Sequence, residues 1–105
     1  MRRSTAPIFA ALGDETRLSL ASRLARDGPL SLTRLAAETD LTRQAVAKHL
    51  QVMERAGLVR SARQGRERRW QLEERPFDDA RRDLERIATR WDEALARLKA
   101  HVEEE

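Results

Sequence analysis

A short helix-forming stretch near the middle of the chain, residues 42–56, constrains the fold most strongly. Thr42 is placed to cap its first turn, because a threonine hydroxyl accepts a hydrogen bond from an otherwise free backbone N–H. Gly57 ends it, since glycine enters the left-handed conformation at low cost. Between these two residues, one face of the helix is apolar and contains Val46, Leu50 and Met53. The other face has long hydrogen-bond donors and small residues but no acid: Arg43, Gln44, Ala47, Lys48 and Gln51. Such a helix suits either the major groove of DNA or an ordinary solvated surface.

Length and composition limit the classes of protein to which the chain can belong. A chain of 105 residues is expected to form one domain, residues 1–105. It contains no cysteine, which excludes disulfides and thiolate metal sites. No apolar run approaches the roughly 20 residues of a membrane span, and the basic N-terminus lacks the apolar stretch of a signal peptide. We therefore expect a soluble, cytoplasmic protein with no membrane partner.

Charge is distributed unevenly along the chain. Residues 42–75 contain nine arginines or lysines and four acids, whereas residues 76–105 contain six bases and nine acids. The positive charge therefore lies in the segment that begins with the central helix, as in a protein that binds a polyanion. Solubility alone is the other explanation, and charge does not exclude it.

Three further helices are predicted before the central one. Pro7 begins the first, Asp14 caps the second, and the third follows Ser31. The second is expected to bury one side; this side contains Leu18, Ala21, Ser22 and Ala25, widened by Leu20 and Leu24. So few residues separate the third helix from the fourth that the two must cross steeply, as in a helix-turn-helix over about residues 31–56, with Leu41 filling the space between them.

A β-hairpin is predicted after Gly57, over about residues 58–72. Gln64 and Gly65 mark its turn, and Trp70 and Leu72 alternate to one side. A basic hairpin directly after a helix-turn-helix is typical of a wing, which lies on the DNA backbone or reaches the minor groove. The arginines that give it this character cluster at and beside the tip: Arg63, Arg66, Arg68 and Arg69. Trp70 is either a stacking platform for bases or, more commonly for a lone aromatic, part of the core.

The last helix, predicted to begin at Pro76 and to span about residues 76–103, carries an apolar repeat of seven. So small a chain has little surface to cover this long stripe, which predicts a homodimer; packing back onto the same chain is the alternative. The expected dimer interface combines this helix with the short first helix: Ile8, Phe9, Leu12, Leu84, Ile87, Trp91, Leu95 and Leu98. The fold class is thus mainly α with a β-hairpin wing (α+β), in the order α-α-α-α-β-β-α, dimerising through its terminal helices.

In their order and spacing these segments resemble the ArsR family of bacterial winged-helix repressors across nearly the whole chain. The resemblance lies in Leu12-Gly-Asp-Glu-Thr-Arg-Leu18, Leu35-Ala-Ala-Glu-Thr-Asp-Leu41, Gln44-Ala-Val-Ala-Lys-His-Leu50, Glu54-Arg-Ala-Gly-Leu-Val-Arg60 and the wing Gly65-Arg-Glu-Arg-Arg-Trp-Gln-Leu72. It implies a homodimeric repressor that binds double-stranded DNA. The fourth helix of each chain would enter one of two successive major grooves of an inverted repeat. By position, Thr42, Arg43, Gln44, Lys48 and His49 would contact bases or phosphates, and the wing arginines the backbone. The His49 ring could equally hydrogen-bond within the fold.

The metal sites of the family are not expected in this chain. The third-helix site needs cysteines. The terminal-helix site is matched only by His101 and Glu104, because its other half falls at Ala88 and Arg90, which do not bind zinc. No cofactor is therefore predicted. The inducing signal would be another effector, a small molecule or a protein, which the sequence does not identify.

Other classes of function fit less well. An enzyme is not expected, because the chain has no phosphate-binding glycine loop and neither histidine has an evident nucleophile or metal partner. A winged helix that binds only protein is the main alternative, but it would usually expose apolar residues on the central helix. RNA is disfavoured because a major-groove helix fits B-form DNA better than A-form RNA.

Overall fold

The computed structural model of the protein describes residues 4–104, which form five helices and three short strands. The elements follow one another as α1 (Ala6–Leu12), α2 (Glu15–Asp27), β1 (Leu30–Ser31), α3 (Leu32–Ala37), α4 (Arg43–Arg55), β2 (Val59–Gln64), β3 (Glu67–Leu72) and α5 (Glu74–Glu103). This is the mainly helical α+β winged helix-turn-helix fold predicted from the sequence, with one strand added.

The helix boundaries lie where the capping residues place them. The Thr42 hydroxyl accepts a hydrogen bond from the Ala45 N–H at 3.1 Å, and the Asp14 carboxylate accepts one from the Arg17 N–H at 3.0 Å. Gly57 follows α4 with a φ of 81°, which only glycine adopts easily. These predicted caps are confirmed, and they fix where α2 and α4 begin and where α4 ends.

The added strand, β1, converts the predicted hairpin into a three-stranded antiparallel sheet in the order β1-β3-β2. Leu30 pairs with Trp70, and Ser31 pairs with Arg69. Two residues are too few to show the alternation of a strand, and their ladder exists only because β3 lies beside them. The predicted order α-α-α-α-β-β-α is therefore corrected to include a strand between α2 and α3.

One core joins the helices to the inner side of the sheet. Its most buried large side chains come from three helices, the loop after α4 and strand β2: Leu20, Leu35, Val46, Leu50, Met53, Leu58 and Val59. Trp70 is buried among them, at 8% exposed. Its assignment to the core is thus confirmed, and the alternative of an exposed stacking platform is wrong.

The predicted inner side of α2 is wrong in part. Leu18 is 52% exposed, and Ser22 and Ala25 are exposed as well, whereas Leu20 and Leu24 are buried. The helix is rotated so that Leu20, Ala21 and Leu24 face the core, which removes two of its three leucines from water. Leu41 does not fill the space between α3 and α4 either, because its side chain turns outward and stays 38% exposed.

The last helix extends well beyond this core. It begins at Glu74, two residues before Pro76, and its 30 residues make it about 45 Å long at 1.5 Å per residue. Ala80 is its one buried residue within the described range. Only the first turns of α5 therefore pack on the rest of the chain.

Candidate nucleic-acid interface

The central helix α4 separates its two faces completely. Val46, Leu50 and Met53 are fully buried, so the helix is anchored along one line. On the opposite side Gln44, Lys48 and Gln51 stand exposed at spacings of four and three residues, which places them in one row. The predicted contact residues Thr42 and Arg43 are exposed at the start of the same helix. The structure thus brings together a row of long hydrogen-bond donors on the exposed side of α4.

One member of this row was not predicted from the sequence. Arg55 lies four residues after Gln51, in line with Gln44 and Lys48, and it is exposed. The signal was its spacing, which continues the row into the last turn of α4. Its charge is favourable there because the carboxyl end of a helix is partly negative.

An arginine from α2 holds the helix that precedes the turn. Arg23 is buried, and its guanidinium donates to the Leu35 carbonyl at 2.8 Å and to the Arg34 carbonyl at 3.2 Å. It also pairs with the Glu38 carboxylate at 3.1 Å. These carbonyls belong to the last turn of α3, where helix geometry leaves them without partners. Arg23 therefore fixes the end of α3, from which the turn to α4 begins, and no periodic pattern in the sequence predicted this role.

His49 faces the fold as well as the solvent. Its Nδ1 lies 3.4 Å from the Arg17 guanidinium and 3.8 Å from the Asp14 carboxylate, and its side chain is 24% exposed. The Arg17 Nε in turn donates to the Ala11 carbonyl at 2.7 Å. Of the two roles that the sequence allowed for His49, the structure shows the hydrogen bond within the fold.

The same cluster changes the acidity of Asp14. The Arg17 N–H hydrogen bond to its carboxylate lowers the pKa of Asp14, and the charges of Arg17 and His49 add to this, against a smaller opposing effect of desolvation. Asp14 therefore stays ionised to a lower pH than an ordinary aspartate and keeps its capping bond to the start of α2.

The wing is a regular two-stranded ladder. Strands β2 and β3 pair in register from Val59 opposite Leu72 to Gln64 opposite Glu67, and Gly65 begins the turn with a φ of 65°. Four predicted contact residues occupy its tip, and all are exposed: Arg63, Arg66, Arg68 and Arg69. The hairpin and its basic tip are thus confirmed as structural features, next to α4.

Ion pairs divide the hairpin arginines into two groups. Arg69 lies 3.7 Å from the Glu67 carboxylate, and Arg60 lies 2.8 Å from the Glu73 carboxylate. Arg63, Arg66 and Arg68 have no acid within ion-pair distance among residues 4–104. Unpaired arginines offer their full charge to an incoming anion, so these three carry the wing's positive field.

The predicted dimer surface is an apolar stripe on α5 that its own chain leaves open. The side chains along it are between 45% and 63% exposed: Leu84, Ile87, Trp91, Leu95, Leu98 and Val102. Phe9 and Leu12 of α1 are half-buried beside the core. Ile8 is different, because it is 5% exposed and belongs to the core of its own chain. Its place in the predicted interface is therefore corrected: α1 turns Ile8 inward to anchor itself.

The part of the chain that the structure describes has neither a cluster of metal-binding side chains nor a membrane-spanning helix. Residues 4–104 contain no group of three or more histidines, aspartates or glutamates placed to hold a metal ion. No helix in this range is both long and apolar enough to cross a membrane.

A two-faced helix behind a steep turn, followed by a basic hairpin, defines the winged helix-turn-helix class. The sequence profile of a helix-turn-helix domain matches residues 12–62. The HTH-type transcriptional regulator Rv2034 of Mycobacterium tuberculosis is 39% identical over 88 residues, which are 84% of this chain and 81% of that protein. The solved ArsR-like transcriptional regulator from Rhodococcus sp. RHA1 is 41% identical with a TM-score of 0.74, over 90% of this chain and 89% of that chain. The chain belongs to the ArsR family of helix-turn-helix transcriptional regulators.

The fold extends to more distant proteins. The homodimeric winged helix-turn-helix DNA-binding domain Mb0332 of Mycobacterium bovis is 24% identical and has a TM-score of 0.64, over 86% of this chain and 80% of that chain. At this identity the likeness shows the shared fold. The relatives that show the family are transcriptional regulators, which are not enzymes, in agreement with the sequence analysis.

Proposed function

We propose that the protein is a homodimeric repressor that binds an inverted repeat in double-stranded DNA in a sequence-specific manner. In this proposal α4 of each chain lies in the major groove, and the basic wing lies on the adjacent backbone or in the minor groove. The protein would act in the cytoplasm of a prokaryotic cell, where the chromosome lies.

The observation that carries the proposal is the division of α4 into two faces. Its inner row is fully buried, so the helix is rigidly held, and its outer row presents Gln44, Lys48 and Gln51 to solvent. Glutamine side chains can pair with the N6 and N7 atoms of adenine, and lysine with the O6 and N7 atoms of guanine. A surface helix that only contributes to solubility needs neither a fully buried inner row nor an outer row without acids.

The apolar stripe on α5 supports the homodimer. Six large apolar side chains from Leu84 to Val102 are each about half exposed or more. A contiguous patch of this kind is typical of an interaction surface. A second copy of the same helix offers the same stripe, and a two-fold pairing lets each chain cover the other. The shared fold with a homodimeric DNA-binding domain from Mycobacterium bovis is consistent with this arrangement.

Dimerisation in turn supports the inverted repeat and repression. A two-fold dimer presents two copies of α4 to the same side of the duplex, so its half-sites should lie about one helical turn, or roughly 34 Å, apart. A protein that occupies this length of a promoter blocks polymerase from the same DNA. Repression is thus the expected consequence of binding.

The test is binding to duplex DNA from the region upstream of the protein's own gene, first by footprinting and then by titration at several salt concentrations. We expect protection of an inverted repeat and an affinity that falls steeply with salt, because several phosphates are neutralised. Binding that does not depend on salt, or no binding to any duplex, would contradict the proposal and favour a winged helix that contacts only proteins.

A further inference from the structure

We propose that the wing has one DNA-binding side: Arg63 and Arg68 together bind phosphate on the face of the hairpin that continues the core, while Arg69 on the other face takes no part. This inference rests on the proposed function and refines it. It names which strand arginines of the wing meet the polyanion, beside Arg66 at the tip, and on which side of the hairpin the DNA backbone lies.

The strand register places Arg63 and Arg68 on the inner face. Arg63 lies directly opposite Arg68, and Ser61 lies directly opposite Trp70. Residues directly opposite one another, and residues two apart along a strand, share a face of the sheet. Trp70 is buried in the core, so its face is the one turned toward the helices. Arg63 and Arg68 extend this face beyond the edge of the core into solvent.

A hydrogen bond confirms the direction of one of them. The Arg68 guanidinium donates to the Ser61 hydroxyl at 3.4 Å. Ser61 is the diagonal neighbour of Arg68 on the same face of the ladder. The charged end of Arg68 therefore lies along the inner face and does not turn to the other side of the hairpin.

The outer face has a different electrostatic character. Arg69 lies opposite Ala62, and Glu67 lies opposite Gln64, so these four residues share the face away from the core. The Arg69 guanidinium is 3.7 Å from the Glu67 carboxylate. The positive charge of this face is thus balanced by an acid of the same strand.

The pairing of two arginines is unfavourable in the free protein. Like charges directly opposite one another in a ladder destabilise it, and no acid among residues 4–104 lies within ion-pair distance of either. A phosphate between the two guanidiniums would accept hydrogen bonds from both and remove the repulsion. The arrangement is therefore suited to an anionic ligand on the inner face, which is also the side on which α4 packs.

The experiment compares the full-length wild type with three matched variants, R63Q, R68Q and R69Q, each of which removes one positive charge from the wing. Affinity for a fluorescein-labelled duplex of random sequence is measured by anisotropy at several salt concentrations. We expect R63Q and R68Q each to reduce the slope of log affinity against log salt by about 0.9. This corresponds to an affinity loss of about eightfold at about 0.1 M salt. R69Q is expected to leave the slope unchanged.

Thermal melting separates weaker binding from unfolding. R63Q and R68Q are expected to raise Tm at low salt by about 1–2 °C, because one of two opposed cations has been removed. The proposal is overturned if R69Q lowers the slope as much as R63Q and R68Q do, or if none of the three changes it while the wild type still binds. Failure of the wild type to bind any duplex would overturn the proposed function as well, so the two failures are distinguishable.

Discussion

The Arg17 guanidinium of α2 lies 3.4 Å from the His49 ring of α4 and donates its Nε–H to the Ala11 carbonyl of α1 at 2.7 Å. One side chain thus connects the helix proposed to read DNA with the helix that lies beside the dimer surface.

His49 is therefore expected to support α4 and not to read bases. His49→Ala should lower the free energy of unfolding by about 0.5–1.5 kcal/mol, the usual contribution of one hydrogen bond, and should weaken binding to all DNA sequences alike. Chemical denaturation and DNA titration measure the two effects. The double variant R17A/H49A should lose less than the sum of the single variants, since both remove one contact. If the losses of unfolding free energy in the two single variants add up fully in the double variant, the contact between Arg17 and His49 does not stabilise the fold.

Gln44 and Arg66 should separate base reading from backbone contact. Gln44→Ala removes a side chain of the outer row of α4, so it should cost about 1–3 kcal/mol on the operator and little on random DNA. Arg66→Ala removes an unpaired charge at the wing tip and should weaken both by a similar factor. Anisotropy titrations on the two duplexes provide the measurement. Identical behaviour of the two variants would mean that helix and wing do not divide these roles.

Trp91 lies at the centre of the apolar stripe on α5 and is 63% exposed in the single chain. Trp91→Asp should produce a monomer, because a charge in the middle of an apolar interface remains unpaired. Loss of the second half-site should weaken operator binding on the order of a hundredfold or more. Light scattering measures the oligomeric state. Thr89→Asp is the matched control, since Thr89 faces away from the stripe and this variant should remain a dimer; a Trp91→Asp dimer would refute the interface.

Arg23 should contribute to stability far more than its neighbour Arg26. Arg23→Ala leaves two carbonyls at the end of α3 without their donor and should cost about 2–3 kcal/mol, as for hydrogen bonds from a charged group. Arg26 lies on the same helix, but it is exposed, and among residues 4–104 its ion pair is with the adjacent Asp27. Arg26→Ala should therefore change the unfolding free energy by less than about 0.5 kcal/mol. Equal effects in urea denaturation would show that Arg23 does not hold α3.

The lowered pKa of Asp14 predicts a pH-dependent contribution to stability. Because the folded state favours the ionised carboxylate, the contribution is complete above the ordinary pKa of about 3.9 and is lost as pH falls through the lower folded value. Asp14→Asn keeps a capping side chain but removes the charge. The wild type should melt at a higher temperature than this variant at neutral pH, and the difference should disappear in acid. A difference in Tm that stays constant with pH would contradict the charge effect.

Several features could be predicted because they depend on residues close together in the chain. Thr42 and Asp14 cap helices through hydrogen bonds to the third residue beyond them, and Gly65 supports the hairpin turn by its own backbone freedom. The buried row of α4 follows from the period of the helix. Prediction failed for α2, where Leu18 was expected on the same buried side as Leu20 and Leu24, since the side that is buried depends on what packs against the helix.

The sequence by itself thus determined the order of the helices, the hairpin with its arginines and the apolar stripe of α5, because periodicity and capping act within a few residues. Only the tertiary structure decided which side of α1, of α2 and of the hairpin faces the core. It paired β1 with β3, turned Ile8 inward, brought Arg23 to α3 and Arg17 to His49, and assigned the wing arginines to opposite faces. Alternation along a strand shows which residues share a face, but the packing of the sheet on the helices decides which face is buried.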